Sequence, residues 1–337
     1  MSKFGIKLLF LIKLLLFAPI IVVVIVTNYL ANLSVQNKAE IEEKKLASLL
    51  LKNNEEAIPM DSINPIRVIR FYINGLSSNK NIIFLGSSRS EQIKSSDLSI
   101  KSGASFFNGS VLGVSLEEMM AIYGMFRIKK MIPQTIILEL SPWILTKKYT
   151  RRLHNVKNEY LYMLKNCLEI DSYTAKTYVD EKIKADDFLR KEEFEKFFSL
   201  KFFQICLQKQ LHLPPWGRGR NAFFSDINDF LCMINALTTN LIVEFAAFIK
   251  LLQKDQVRII FFLAPFHQDF YEKIITKPEY EIVLKIQEYF INFAKQNNIE
   301  IVGSYNPITC NCYITDFRDP IHPINSTTKK ILKNIHF

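Results

Sequence analysis

The run Ile82-Ile83-Phe84-Leu85, halted at once by Gly86, is the feature that most restricts the fold of this chain. A short, continuous apolar run that stops at a glycine reads as a strand buried on both faces, because a half-exposed strand would alternate polar with apolar residues. Similar runs recur at Ala104–Phe107, Thr135–Leu140, Val257–Leu263 and, more weakly, Glu300–Val302. Helical patterns separate most of them: Ser115–Met131, a long region from about 157 to 254, and Glu279–Gln296. Strands alternating with helices imply an α/β fold, with a central parallel sheet and helices on both faces. Sites in such sheets form at the carboxyl ends of strands. Gly86-Ser87-Ser88-Arg89 follows the first strand and so falls where a site belongs.

One helix start is explicit. Ser115-Leu116-Glu117-Glu118 is a capping box, in which the Ser hydroxyl and the Glu carboxylate each accept a backbone N–H left over at the helix end. Lys129 and Lys130, with Pro133 beyond, form a normal stop. The segment from about 147 to 236 breaks the alternation. It is helical, aromatic and charged, with one loop rich in Pro and Gly at Pro214-Pro215-Trp216-Gly217-Arg218-Gly219-Arg220. It reads as an insertion between core strands, which either builds a substrate wall or only covers the sheet edge.

The N-terminus has a different character. Leu14–Val26 holds no charged residue, and the wider stretch Ile6–Leu30 contains only Lys7 and Lys13. That is long enough to cross a bilayer, and Lys13 lies near enough to its start to reach the headgroups. Lys3 and Lys7 predict a cytoplasmic N-terminus. The residues after the span, Asn28-Tyr29-Leu30-Ala31-Asn32-Leu33, lack a small-x-small cleavage pattern, which favours an uncleaved signal anchor over a removed signal peptide. The expected organisation is therefore an anchor over 1–34, a juxtamembrane helix and linker over 35–65, and a domain over 66–337 lying outside the cytoplasmic membrane. The charged helix after the anchor, 36–56, reads as a stalk or a lid.

The 337 residues, 49% of them apolar, suffice for one large α/β domain. Lys and Arg number 43 against 33 Asp and Glu, a net charge of +10 spread as a solvated lysine surface without the dense basic and aromatic runs that bind nucleic acid. The bilayer is the expected partner, and nucleic acid is excluded. Five cysteines are too few for a disulfide scaffold and odd in number. Cys310-Asn311-Cys312 has no accompanying Cys/His cluster, so it reads as incidental spacing and no metal site is expected.

Near the C-terminus stands Asp319-Pro320-Ile321-His322-Pro323. With Ser88 it completes the parts of a serine nucleophile system: an attacking oxygen, an imidazole base and an orienting carboxylate. Ser88 reads as the nucleophile at the start of a helix, where the helix dipole would favour an oxyanion. His322 reads as the base, and Asp319 as the group that holds its tautomer. Taken singly, Gly-Ser-Ser is also an ordinary turn and Asp-Pro-x-His-Pro an ordinary surface loop. Ser87 is a second candidate nucleophile, but the residue two after the glycine fits better. His267, after the fourth strand, faces the site edge as a packing or substrate-contact residue, and His154 is a weaker alternative.

These blocks resemble those of the SGNH, or GDSL-type, hydrolase superfamily. Gly86-Ser87-Ser88 stands where that family has Gly-Asp-Ser. Asn108-Gly109-Ser110-Val111-Leu112-Gly113 is similar to its second block, whose last glycine lends an N–H to the oxyanion hole. Asp319-Pro320-Ile321-His322-Pro323 matches its last. The similarity covers about 80 to 335, apart from the insertion. It implies a flavodoxin-like three-layer sandwich, catalysis by Ser88, Asp319 and His322, an oxyanion hole from the N–H groups of Ser88 and Gly113, and no cofactor. Ser87, Arg89, Asn108 and His267 would line the site. One block departs: where the family has an asparagine after the third strand, this chain reads Glu139-Leu140-Ser141-Pro142-Trp143. Loss of an oxyanion donor costs about 2.7–4 kcal/mol of transition-state stabilisation.

The single anchor and the Gly-Ser-Ser motif resemble the lipoteichoic acid D-alanyl transfer proteins and the alginate-type O-acetyltransferases. That resemblance implies a bacterial envelope acyltransferase or esterase, a cell-envelope glycan as substrate, and a multi-spanning membrane-bound O-acyltransferase as partner. The alternative is a catalytically weak protein of the same fold that binds envelope glycan or scaffolds such a complex.

Overall fold

The computed structural model describes residues 3–58, 64–100, 103–146, 152–197, 238–333, 335 and 337, with side chains outside 3–21, 31–33, 185–197 and 279. The apolar runs become strands β1 (Ile82–Leu85), β2 (Phe106–Asn108), β3 (Thr135–Glu139), β4 (Arg258–Leu263) and β5 (Glu300–Gly303). They form one sheet in the order β2-β1-β3-β4-β5, every pair parallel. The chain is therefore α/β, and its strand order is compatible with a flavodoxin-like fold, whose order reverses between β1 and β3.

The absence of alternation in the strands has a direct cause. Ile83, Leu85, Ile136, Leu138, Phe261 and Leu263 face one hydrophobic layer, while Ile82, Phe84, Ile137, Ile260 and Phe262 face another. The first layer is closed by helices α2 (Pro65–Gly75), α3 (Leu116–Ile128), α6 (Thr239–Lys254) and α8 (Glu281–Gln296). The second is thinner and is closed by Ile93, Leu98 and α9 (Asn325–Leu332). The Ser115–Glu118 capping box forms as expected: Ser115 N–H donates to Glu118 Oε2 at 2.9 Å and Glu118 N–H to Ser115 Oγ at 3.2 Å.

Helix α1 runs unbroken from Lys3 to Lys52. No helix is long and apolar enough to cross a membrane among the residues whose side chains are described. The expected span over 6–30 falls largely on 3–21, outside those residues. The far end of α1 is neither a free stalk nor a lid. Ala47 and Leu50 join the core, and Arg67 donates to the buried Glu43 at 2.9 Å. Beyond it, Ala57 bridges to Asn108 and the Glu56 carbonyl accepts the Asn108 N–H at 2.6 Å, so this segment lies against the end of β2. The packed unit thus begins well before the expected boundary at 65.

The first part of the insertion is helical, as α4 (Lys157–Leu168) and α5 (Ser172–Phe197), whereas the Pro214–Arg220 loop lies outside the described residues. Lys182 on α5 donates to Glu244 at 2.9 Å, Tyr160 Oη at 2.9 Å and Glu117 at 3.1 Å, docking α5 on α3, α4 and α6. Burial alone would lower the pKa of the Lys182 ammonium, but Glu117 and Glu244 beside it push it up instead. This part of the insertion lies against the helix layer that already covers the sheet. The remaining helix, α7 (Gln268–Thr276), starts at His267.

Gly303 closes β5 with φ +78°, and a Cβ there would stand 2.3 Å from the Leu263 carbonyl oxygen on β4. Both the backbone conformation and the space require glycine. Gly303→Ala is expected to lower stability by about 1–3 kcal/mol or more, read as a lower urea midpoint with an unchanged slope.

Candidate active site

The carboxyl ends of β1, β2, β3 and β4 hold a single cluster of functional side chains. Ser88 Oγ lies 2.8 Å from His322 Nε2. His322 Nδ1 lies 2.7 Å from Asp319 Oδ2 and 2.9 Å from Oδ1. Residues from opposite ends of the chain thus form one hydrogen-bonded relay.

The Asp319–His322 loop is built locally. Asp319 Oδ1 accepts the N–H groups of Ile321 at 3.0 Å and His322 at 2.9 Å, folding the loop around its own carboxylate. Arg318 N–H donates to the His322 carbonyl at 2.9 Å, and Phe317 bridges to Pro323, closing its neck. Burial would raise the Asp319 pKa, but the hydrogen bonds and charge of His322 and the two N–H donors outweigh it and hold the carboxyl below its ordinary value.

The nucleophile turn is built differently from the expectation. Turns over 88–92 follow β1, and no α-helix starts at Ser88. The helix dipole is therefore not available to an oxyanion here. Two side chains explain why the turn does not continue as a helix. Asn108 Nδ2 lies 2.9–3.2 Å from the carbonyls of Ser90, Glu91 and Ile93, which a helix would have used itself. Glu139, fully buried at the end of β3, accepts Ser87 N–H at 2.7 Å, Ser87 Oγ at 2.9 Å, Ser90 Oγ at 2.6 Å and the Ser141 hydroxyl. Gly86 serves by its size: a Cβ would stand 2.1 Å from Ser90 Oγ and 2.8 Å from Glu139.

Arg89 is the second buried charge. Its Nε donates to the Ile321 carbonyl at 2.9 Å, and its Nη2 to the carbonyls of Pro265, at 2.8 Å, and Ala264. The guanidinium lies 4.3 Å from the centre of the Phe266 ring. Burial lowers its pKa, opposed by the charge of Glu139 and by Tyr305 and Asp319. Arg89 therefore ties the nucleophile turn both to the loop after β4 and to the loop that carries His322.

The second block runs beside Gly86. Gly109 N–H donates to the Phe84 carbonyl and Val111 N–H to the Gly86 carbonyl, each at 2.8 Å. Gly113 ends it at φ +59° with open space on its Cβ side. Among the described residues neither the Ser88 nor the Gly113 N–H donates to any acceptor.

The four expected site-lining residues all have partners within the protein. Ser87, Arg89 and Asn108 are buried and hydrogen-bonded to protein partners beneath the site, while Ser88 keeps a small exposed fraction of 6%. His267 is also buried: its N–H donates to the Pro320 carbonyl at 2.9 Å and its Nδ1 accepts the Asp269 N–H at 3.2 Å. Burial lowers its pKa, against the nearby Asp269 and Asp319. It props the Asp319 loop and caps α7. His154 lies in a separate turn at Leu153–Val156. The role of Glu139 had no signal in the sequence beyond the missing asparagine. Among the described residues no group of His, Cys, Asp and Glu is arranged to hold a metal.

No protein-family model matches this sequence, and no curated protein matches it either.

Glu139 is surrounded by donors, which a carboxylate satisfies and an amide would not. Glu139→Gln sets amide hydrogens against those donors and leaves Arg89 without its buried counter-charge. The expected loss is about 1–3 kcal/mol of stability, measured by urea denaturation. Asp319 gives a pH signature. Its folded pKa lies below the ordinary 3.8, so its stabilisation is complete above that value and is lost as pH falls through the folded pKa. Denaturation midpoints between about pH 2 and 5 are expected to depend less on pH in Asp319→Asn than in the parent protein.

Proposed function

We propose that this protein is a membrane-anchored serine acyltransferase or esterase of SGNH type, acting on a cell-envelope glycan from the outer side of the cytoplasmic membrane. The observation that carries the reading is the relay Ser88–His322–Asp319, with 2.8 and 2.7 Å links between residues whose blocks resemble that superfamily. Support for the setting comes from the apolar stretch 6–30 and the Lys3 and Lys7 that precede it. The strand order agrees with the flavodoxin-like sandwich that the superfamily implies.

Ser88 Oγ attacks the acyl carbonyl while His322 Nε2 takes its proton. Asp319 keeps the other ring nitrogen protonated and stabilises the imidazolium. The negative charge on the acyl oxygen falls to the N–H groups of Ser88 and Gly113. Collapse breaks the bond to the donor's leaving oxygen or sulfur, and His322 returns the proton to it. A sugar hydroxyl, or water, then gives its proton to His322 and attacks the acyl-serine, which releases Ser88. Each step is closed by the chain's own groups, so the reading calls for no metal or organic cofactor. A multi-spanning O-acyltransferase in the same membrane is the donor partner that the resemblance implies.

A second reading has one observation in its favour. Where a third oxyanion donor would stand, this chain has Glu139, whose buried charge beneath the turn opposes a developing oxyanion. That favours a weakly catalytic protein that binds glycan or scaffolds a complex. Arg89, with Glu139 among the charges acting on it, offsets that field, so the enzymatic reading takes precedence.

The test uses p-nitrophenyl acetate as acyl donor and an envelope oligosaccharide as acceptor. Acetyl should pass to the saccharide or to water. Ser88→Ala should abolish the reaction, and His322→Ala should slow it by about 10²–10⁴-fold. Full activity in Ser88→Ala would refute the serine mechanism, and an inactive parent protein would favour the binding reading.

A further inference from the structure

Cys310 and Cys312 are a chemically capable pair that acyl transfer leaves unused, and both are free thiols. They sit in a tight turn between β5 and the Asp319 loop. The N–H groups of Cys310 and Cys312 both donate to the Pro307 carbonyl, at 3.1 and 2.9 Å, and Asn311 N–H donates to that of Ile308 at 2.9 Å. Asn311 between them is left-handed, with φ +52°. This fold turns Cys312 back over its neighbour, so that Cys312 Sγ lies 3.6 Å from the Cys310 carbonyl oxygen. The Cys310 thiol lies 3.6 Å from the Ser304 carbonyl oxygen. Both thiols thus belong to one turn, separated only by the left-handed Asn311.

The pair is asymmetric. Cys310 is half-buried and Cys312 is buried. Lys330 on α9 donates to the Asn311 carbonyl at 2.6 Å, which fixes a cation at the turn. The Cys312 thiol and the Lys330 charge act to hold the Cys310 pKa below its ordinary value, against burial. Cys312 is pushed up, first by its hydrogen bond with Cys310 and then by burial.

We propose that Cys310 and Cys312 form a thiol–disulfide exchange site, with Cys310 as attacking thiol, Cys312 as resolving thiol and a disulfide oxidant as co-reactant. The Cys310 thiolate attacks one sulfur of the oxidant, breaking its S–S bond and expelling a thiolate. The Cys312 thiolate then attacks Cys310 Sγ, which closes the Cys310–Cys312 bond and expels the second thiolate. Two protons leave the protein, and the oxidant takes up two electrons. A ring closed over a single residue departs from relaxed disulfide geometry, which makes it easily reduced. It is therefore a reversible bond rather than a permanent staple. Outside the cytoplasm, where the proposed topology puts it, such a pair meets oxidising conditions. The chemistry of the turn itself does not depend on that topology or on the acyl-transfer reading. The spacing that reads as incidental in the sequence is thus given a use by the fold of the turn.

The test takes the full chain in detergent through glutathione buffers from fully reduced to fully oxidised, followed by an acid quench, N-ethylmaleimide labelling and peptide mass mapping. In oxidised buffer the peptide bearing both cysteines should be unlabelled and lighter by two hydrogens, and it should regain both labels on return to reduced glutathione. Cys312→Ser should instead hold glutathione on Cys310, and Cys310→Ser should react with oxidised glutathione at least about tenfold more slowly. Two labels at every buffer ratio would overturn the proposal. So would a glutathione adduct on Cys310 of the parent chain that Cys312 never resolves. Modification of Cys167, whose pKa burial pushes up to about 12, at the same rate as Cys310 would equally count against it.

Discussion

The two buried charges Glu139 and Arg89 are the constraint on which the rest of the site depends. A carboxylate and a guanidinium with no access to solvent are costly unless each is fully engaged. The fold meets most of that demand by aiming the loops at them, although Arg89 Nη1 stays buried without a hydrogen-bond partner among the described residues. Glu139 collects the donors of the nucleophile turn from its seat at the end of β3. Arg89 collects carbonyls from the loop after β4 and from the Asp319–His322 loop. The relay atoms are therefore positioned by groups that never reach the surface. Their geometry belongs to the interior of the sheet, and the exposed loops only carry the last atoms into place.

The pair also changes how charge would be handled during acyl transfer. A helix start at Ser88 would have supplied a positive dipole, but the chain turns instead, and the nearest charge beneath it is negative. The positive counterpart is Arg89. In the proposed reading, electrostatic balance at the site rests on two buried charges, Glu139 and Arg89, which act on each other through space rather than by direct contact, and on the N–H groups of Ser88 and Gly113, a smaller donor set than a third block with asparagine would give.

What was legible in the sequence follows the range of the interactions. The strands could be read because burial on both faces makes each one a continuous apolar run, and the order of β1, Gly86 and Ser88 then placed the candidate nucleophile at a strand's carboxyl end. Asp319 and His322 could be read because their contact spans three residues. The capping box at Ser115 is local for the same reason. Glu139 and Arg89 were not legible, since their partners lie 52 and 232 residues away and no periodicity marks them. The same holds for α1: its charged surface suggests a stalk, whereas Ala47, Leu50 and the Glu43–Arg67 pair make its end part of the domain. Ser87, Asn108 and His267 are polar residues near the nucleophile in sequence or strand position, which suggests substrate contact. Only the packing shows that they face inward.

The central claim is that Ser88 is an activated nucleophile. The most direct measurement is reaction of the full chain in detergent with a fluorophosphonate, with the adduct mapped by mass spectrometry in the parent protein and in His322→Gln. The account predicts a single adduct on Ser88 that forms at least about 10²-fold more slowly without the imidazole base. A well-folded protein that takes no adduct on Ser88, or takes it equally fast in His322→Gln, would contradict it.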